Sequence, residues 1–207
     1  MRGLHLVTDR ALGAPRSVEE VARLAAEGGC ATVQLREKDL GTRAFLEEAL
    51  RLRAVLRPLG VPLIINDRLD IALAAGAEGV HVGQDDMPPE DVRRLVGPGV
   101  IVGLSVETWE DVERAQTQPV DYLGVSPVFG TPTKTDTKGA WGLEGLARIR
   151  AYSRHPLVAI GGLNASNIPA VVAAGADGIA VVSAICAAPD PRAAARELAA
   201  LCPPPRR

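Results

Sequence analysis

Ala74-Ala75-Gly76-Ala77-Glu78-Gly79-Val80 returns later in the chain as Ala173-Ala174-Gly175-Ala176-Asp177-Gly178-Ile179. Each copy reads as the end of a helix, a tight turn and the start of a strand. Gly76 and Gly175 occupy the position just past a helix, where a positive φ is needed and a side chain would be strained. Working outward from the two copies, short β-branched runs alternate with longer amphipathic stretches. The expected strands are Leu4–Thr8, Thr32–Leu35, Pro62–Ile65, Gly79–Val82, Ile101–Ser105, Tyr122–Val125, Leu157–Ile160 and Gly178–Val182. Between them the apolar residues recur at three- and four-residue steps, which predicts helices over 17–27, 42–59, 69–75, 88–96, 108–116, 142–153, 168–174 and 189–201. Strand–helix alternation calls for a parallel sheet. Eight units favour its closure into a single α/β domain over residues 1–207, a (β/α)8 TIM barrel, over an open doubly wound sheet.

Local end signals agree with this division. Ser17 and Thr42 are candidate N-caps, and Ser17-Val18-Glu19-Glu20 has the spacing of a capping box. Pro88 and Pro89 suit a first helical turn, where the missing N–H is no loss.

Composition narrows the function. Hydrophobic residues make up 47% of the 207 positions but aromatics only 3%, so the core is built from Ala, Val, Leu and Ile. A net charge of −2 gives no basic footprint for nucleic acid or an anionic membrane. No secretory-type leader and no apolar run of membrane-spanning length is visible, which predicts a cytoplasmic protein without membrane partners. Cys30, Cys186 and Cys202 match no metal-ligand spacing and are expected to be buried or inert. Among 23 basic residues only Lys38, Lys134 and Lys138 are lysines, and all three adjoin candidate anion-handling segments. A homo-oligomer is left open.

In a barrel of this kind the active site forms at the C-terminal ends of the strands. Polar residues concentrate at those ends. The second strand runs into Gln34-Leu35-Arg36-Glu37-Lys38, two cations and an amide suited to an anionic heteroaromatic substrate. The third ends in Asn66-Asp67-Arg68, and the fourth leads through His81 to Asp85-Asp86. Carboxylates on neighbouring strand ends can share one hard cation, and Mg2+ commonly takes one or two carboxylates plus phosphate oxygens. Taken alone, either Asp would more often be an N-cap for the following helix. His81 is expected in the barrel mouth or its upper layer, as a structural hydrogen-bonder or a substrate contact. His5 and His155 read as structural or surface residues. The fifth strand ends at Ser105. The sixth is followed by residues 126–139, too long and polar for an ordinary βα turn and therefore expected to be a lid or binding loop. The seventh ends in Gly161-Gly162 and the eighth in Val182-Ser183, where this fold commonly binds phosphate. No Ser-His-Asp or Cys-His arrangement is evident.

With these residues in view, the chain resembles the thiamine-phosphate synthase family. The matching segments are Gln34–Lys38, Ile65–Arg68, Gly79–Asp86, Gly124–Lys134, Ala159–Leu163 and Ala180–Ile185, in family order across nearly the whole chain. The resemblance implies a Mg2+-dependent transferase of thiamine biosynthesis. It would condense hydroxymethylpyrimidine diphosphate with hydroxyethylthiazole phosphate and release pyrophosphate. It further implies that Gln34, Leu35, Arg36, Glu37, Lys38 and Asn66 hold the pyrimidine diphosphate. Asp67 and Asp86 would bind Mg2+, and Ser105 and Lys134 would contact the diphosphate. Thr131, Pro132, Thr133, Gly162, Val182 and Ser183 would hold the thiazole phosphate. The catalytic roles fall to Arg36, Lys38, Ser105 and Lys134. Two other readings remain: a thiazole tautomerase of the TenI-like group, which need not keep the diphosphate and metal apparatus, and a non-catalytic barrel that senses thiamine phosphate.

Overall fold

The computed structural model describes residues 1–130 and 139–204. Eight strands form a closed barrel: β1 (Gly3–Val7), β2 (Cys30–Leu35), β3 (Leu63–Asn66), β4 (Gly79–Val82), β5 (Ile101–Val106), β6 (Tyr122–Val125), β7 (Leu157–Ile160) and β8 (Gly178–Val181). Each is parallel to the next. The sheet closes where β1 pairs with β8, His5 lying opposite Ala180, so the open-sheet alternative is excluded.

Among the described residues ten α-helices accompany the strands: α1 (Arg10–Gly13), α2 (Val18–Glu27), α3 (Thr42–Leu56), α4 (Leu69–Ala75), α5 (Pro89–Val96), α6 (Trp109–Ala115), α7 (Gly142–Tyr152), α8 (Ile168–Ala173), α9 (Ser183–Cys186) and α10 (Pro191–Leu201). All eight expected helices are present, with small shifts at their ends. The expected third helix changes at its end into a 3-10 turn over Arg57–Leu59. Helices α1 and α9 were not expected, because four residues carry too little periodicity to be read. The region around Ala184-Ile185 is thus a short helix.

The end signals are partly corrected. Ser17 caps α2, its side chain accepting from the Glu20 N–H. Thr42 is not a cap: Gly41 occupies that position, and the Thr42 hydroxyl accepts from Arg68 instead. A full capping box stands at α6, between Thr108 and Asp111. Gly76 has φ 61° and Gly175 φ 108°, as the repeated turn requires.

Strand side chains alternate between two environments, as a two-residue period dictates. Leu4, Leu6, Val33, Leu35, Leu63 and Ile65 point outward against the helices and are almost wholly buried. Burying each Leu or Ile contributes roughly 1.5–3 kcal/mol. The shell between sheet and helices therefore supplies most of the hydrophobic stabilisation, which leaves the barrel lumen free to hold polar groups. There, Val7, Tyr122, Val158 and Ala180 form a small separate apolar cluster, surrounded by His5, Thr32, Gln34 and His81. Among the described residues, no helix is long and apolar enough to cross a membrane.

Candidate active site

A cavity of about 670 Å³ opens at the C-terminal ends of the strands and reaches down into the lumen. Ten of the expected site residues line it: Gln34, Arg36, Lys38, Asn66, Asp67, Asp86, Ser105, Gly162, Val182 and Ser183. They come from six strand ends, so chain closure rather than sequence proximity brings them together.

Strand alternation sorts the segment after β2. Gln34, Arg36 and Lys38 face the cavity, whereas Leu35 and Glu37 do not. Leu35 is 0% exposed, in the shell behind the barrel, because its neighbours in the strand already point inward. The Glu37 carboxylate turns away towards Arg10, 3.4 Å distant, and Arg10 also pairs with the buried Glu48 of α3. Burial raises the pKa of both acids, partly offset by the Arg10 charge. The side chains of Leu35 and Glu37 are thus support rather than lining. The backbone is held as well: Arg36 N–H donates to the Thr8 hydroxyl at 3.1 Å.

Neither Asp67 nor Asp86 caps a helix, for Arg68 and Pro88 occupy those positions. Asp67 has φ 63°, the positive-φ residue outside glycine among those described. Such a conformation is uncommon for a residue bearing Cβ and is often kept at functional positions. Its N–H donates to the His81 carbonyl at 2.8 Å, and its carboxylate accepts from Lys38. Asp86 accepts from the Gly83 N–H at 2.7 Å. Burial lifts the Asp86 carboxyl above the ordinary carboxylate range; the Gly83 hydrogen bond opposes this, and the nearby Asp67 charge adds to it. Two acids close enough to perturb each other form an oxygen-donor pair whose repulsion a cation would relieve. Among the described residues no cluster of three or more His, Cys, Asp or Glu makes a self-sufficient metal site. A two-carboxylate set is nevertheless what Mg2+ uses when substrate oxygens and water complete its shell. The residues fit that ion.

Ser105 lies beside His81, Oγ to Nε2 2.8 Å, and the other ring nitrogen meets the Tyr122 hydroxyl, also at 2.8 Å. Gln84 donates to the Ser105 carbonyl at 2.6 Å. His81 therefore lies in the cavity, as expected for the mouth or upper layer. Tyr122 was read only as the first residue of a strand. Nothing in the sequence alone marks it as facing the lumen.

At the opposite rim, Gly162 has φ 66°, and a Cβ there would lie 2.9 Å from both the Gly130 carbonyl oxygen and the Phe129 Cβ. Backbone conformation and this close approach each require glycine. Val182 caps α9, and Ser183 is its first residue. A helix start leaves first-turn N–H groups unpaired and able to meet an anion. Thr131, Pro132, Thr133 and Lys134, with Lys138, lie outside the described residues. On either side of them, the Trp141 N–H donates to the Pro127 carbonyl at 2.9 Å and that of Gly142 to the Val128 carbonyl at 2.8 Å.

The remaining two histidines were expected to be structural or surface residues; His5 lines the lower part of the same cavity. His5 is inside the barrel, 2.6 Å from the Thr32 hydroxyl. Nε2 of His155 meets the Ala115 carbonyl at 3.0 Å. Cys30 and Cys186 are buried, and burial pushes their thiols up to about 12 and about 11, so thiolate chemistry is suppressed.

Comparison with known proteins agrees with this geometry. Residues 4–185 match the family described as thiamine monophosphate synthase. The chain is 57% identical over 195 residues to a thiamine-phosphate synthase of Albidiferax ferrireducens, covering 94% of this chain and 89% of that one. It is 52% identical over 198 residues to the thiamine-phosphate synthase of Leptospira biflexa, covering 94% of each. The structure of a thiamine phosphate pyrophosphorylase from Pyrococcus furiosus superposes with a TM-score of 0.88 at 39% identity, over 96% of this chain and 94% of that one. A match over most of the chain, with the expected residues gathered in one cavity, leaves one conclusion: the chain belongs to the thiamine monophosphate synthase family.

Proposed function

We propose that this protein is a Mg2+-dependent thiamine-phosphate synthase, joining hydroxymethylpyrimidine diphosphate to hydroxyethylthiazole phosphate with release of pyrophosphate. The observation that carries the reading is the composition of one cavity: Arg36, Lys38, Asn66, Asp67, Asp86 and Ser105 on one side, Gly162, Val182 and Ser183 on the other. Family membership supports the same activity. A barrel that only isomerised a thiazole phosphate would have no use for cations and paired carboxylates on the side away from its phosphate.

The chemistry is a substitution at carbon. The thiazole nitrogen forms a bond to the methylene carbon of the pyrimidine, the carbon–oxygen bond to diphosphate breaks, and its electron pair leaves with pyrophosphate. Arg36 and Lys38 would stabilise the charge that grows on the leaving group, while Asn66 and Ser105 add neutral hydrogen-bond donors. Gln34, on the same strand end, would orient the pyrimidine. Gly162 and Ser183 would hold the thiazole phosphate so that its nitrogen meets the electrophile, an effect of orientation rather than of bond-making by the protein. No side-chain nucleophile is needed. Asp67 and Asp86 would hold Mg2+, which when bound supplies charge neutralisation for the diphosphate. Without a cation these two acids would repel the substrate that Arg36 and Lys38 attract.

The test is incubation of the protein with both substrates and Mg2+, following thiamine phosphate and pyrophosphate. Equal formation of the two products is expected. Thiazole isomerisation without thiamine phosphate would make the protein a tautomerase. Tight binding of thiamine phosphate without turnover would make it a sensor.

A further inference from the structure

Tyr122, His81 and Ser105 come from the adjacent strands β6, β4 and β5 and form a continuous hydrogen-bonded chain along the wall of the cavity. The His81 imidazole joins the Tyr122 hydroxyl at Nδ1 to the Ser105 hydroxyl at Nε2, each at 2.8 Å. The backbone is built around this pair. A Cβ at Gly103 would overlap both the Tyr122 hydroxyl end and the His81 ring, and one at Gly124 would lie 2.9 Å from His81 Cε1. The His81 and Tyr122 rings stand 5.4 Å apart between centroids, tilted by 34°. Both are nine-tenths or more buried, at 8% and 3% exposure. Gln34 of β2 lines the same cavity, and burial keeps the Tyr122 phenol protonated by raising its pKa.

Such a chain can run in two directions, because each hydroxyl carries one proton and a neutral imidazole one N–H. If Ser105 donates inward to Nε2, only its lone pairs face the cavity, and they repel an anion. If Tyr122 donates to Nδ1, the imidazole proton must reside on Nε2, where it donates to the Ser105 oxygen. The Ser105 proton is then left for the cavity. An anion in the mouth thus selects one direction and one imidazole tautomer.

We propose that Tyr122 and His81 are positioning residues that form a one-way donor relay, from Tyr122 through His81 to Ser105, fixing Ser105 as a hydrogen-bond donor to the diphosphate. The relay rests on the reading of this cavity as the diphosphate site. It assigns Tyr122 a function without contact to the reacting atoms. It also explains why two inward positions of the barrel, 103 and 124, are glycine.

The tautomer is measured directly. In 15N NMR of the protein with Mg2+ and inorganic pyrophosphate, His81 is expected as the Nε2–H tautomer, its signals assigned by their loss in His81→Asn. An Nδ1–H tautomer in that complex would overturn the relay. Kinetics supply the second arm. Tyr122→Phe keeps the ring and removes the donor, and is expected to raise KM for the pyrimidine diphosphate by at least about tenfold, within the range for a hydrogen bond to a charged group, while KM for thiazole phosphate is unchanged. In the Ser105→Ala background the same substitution should have little further effect, since the relay acts through Ser105. Equal changes for both substrates, or full additivity with Ser105→Ala, would show a merely structural role and overturn the proposal. Wild-type turnover separates the two readings. Normal synthase activity with the inverted tautomer defeats the relay alone, whereas absence of thiamine phosphate defeats the assigned reaction.

Discussion

Asp67 carries two costs in one residue: a left-handed backbone and a carboxylate beside another acid. A conformation of this kind costs about 1–3 kcal/mol and persists where surroundings enforce it. Here the Asp67 N–H bond to the His81 carbonyl and the Lys38 ammonium on its carboxylate hold the arrangement. If both acids address one Mg2+, Asp67→Asn and Asp86→Asn should each weaken Mg2+ dependence and cut turnover sharply, with little change in thiazole phosphate binding. The double variant should cost much less than the sum of the singles in free energy, because both act through one ion. Initial rates against Mg2+ for wild type, singles and double decide it; full activity in EDTA, or strictly additive losses, would defeat the shared site. At this scale the sequence showed a good deal. Asp67, Asp86, Asn66 and Ser105 were legible as cavity residues because polar residues gathered at several strand ends together, although either Asp alone was an N-cap candidate. The relay through Tyr122 was not, since a tyrosine starting a strand looks like any β-former until closure sets it opposite His81.

Elements place those residues, and the segment after β2 shows how. The alternation Gln34, Arg36, Lys38 on one face and Leu35, Glu37 on the other follows from strand geometry alone. A contiguous family motif therefore divides into cavity lining and support. The support is ionic: Arg10 of α1 spans Glu37 and Glu48, joining the first and second strand–helix connections to α3. Glu48 is 1% exposed, so removing its cation leaves a buried acid, whereas Arg10 is half exposed and water can partly replace it. The two facts bracket the cost of Arg10→Met at about 1–3 kcal/mol, above an exposed pair and below a fully buried one. The variant should unfold at lower denaturant and show a raised KM for the pyrimidine diphosphate, through looser Arg36 and Lys38. A loss of stability with both KM values unchanged would show that the clamp does not position the loop. Neither α1 nor Arg10 was legible beforehand, for four residues have no usable period and the ion pair joins positions 38 apart. The strand–helix alternation was legible throughout because every unit repeats the same hydrophobic periods.

The whole molecule separates stability from chemistry by layer, and His5 tests that separation. Apolar packing between sheet and helices supports a lumen that holds polar side chains, so groups inside the barrel can be ionisable without being functional. His5 is such a group: burial, then the positive N-terminus, lowers its pKa from 6.5 to about 3, with a Met1 backbone hydrogen bond opposing. Folded, His5 stays neutral; unfolded, it binds a proton below its ordinary pKa. Stability from this site is therefore complete above about pH 6.5 and declines as pH falls towards 3, the unfolded state holding more protons across that window. The effect is on the order of a few kcal/mol over the full window. Replacing His5 by Gln, which keeps a polar partner for Thr32 but cannot titrate, should flatten the fall of unfolding free energy between pH 6.5 and 4 while leaving kcat at neutral pH unchanged. Denaturant titrations of both proteins across that range give the slope difference. Parallel slopes would mean that the lumen admits enough water to protonate His5 in the folded state, and a drop in neutral-pH turnover would extend the working site to the floor of the barrel.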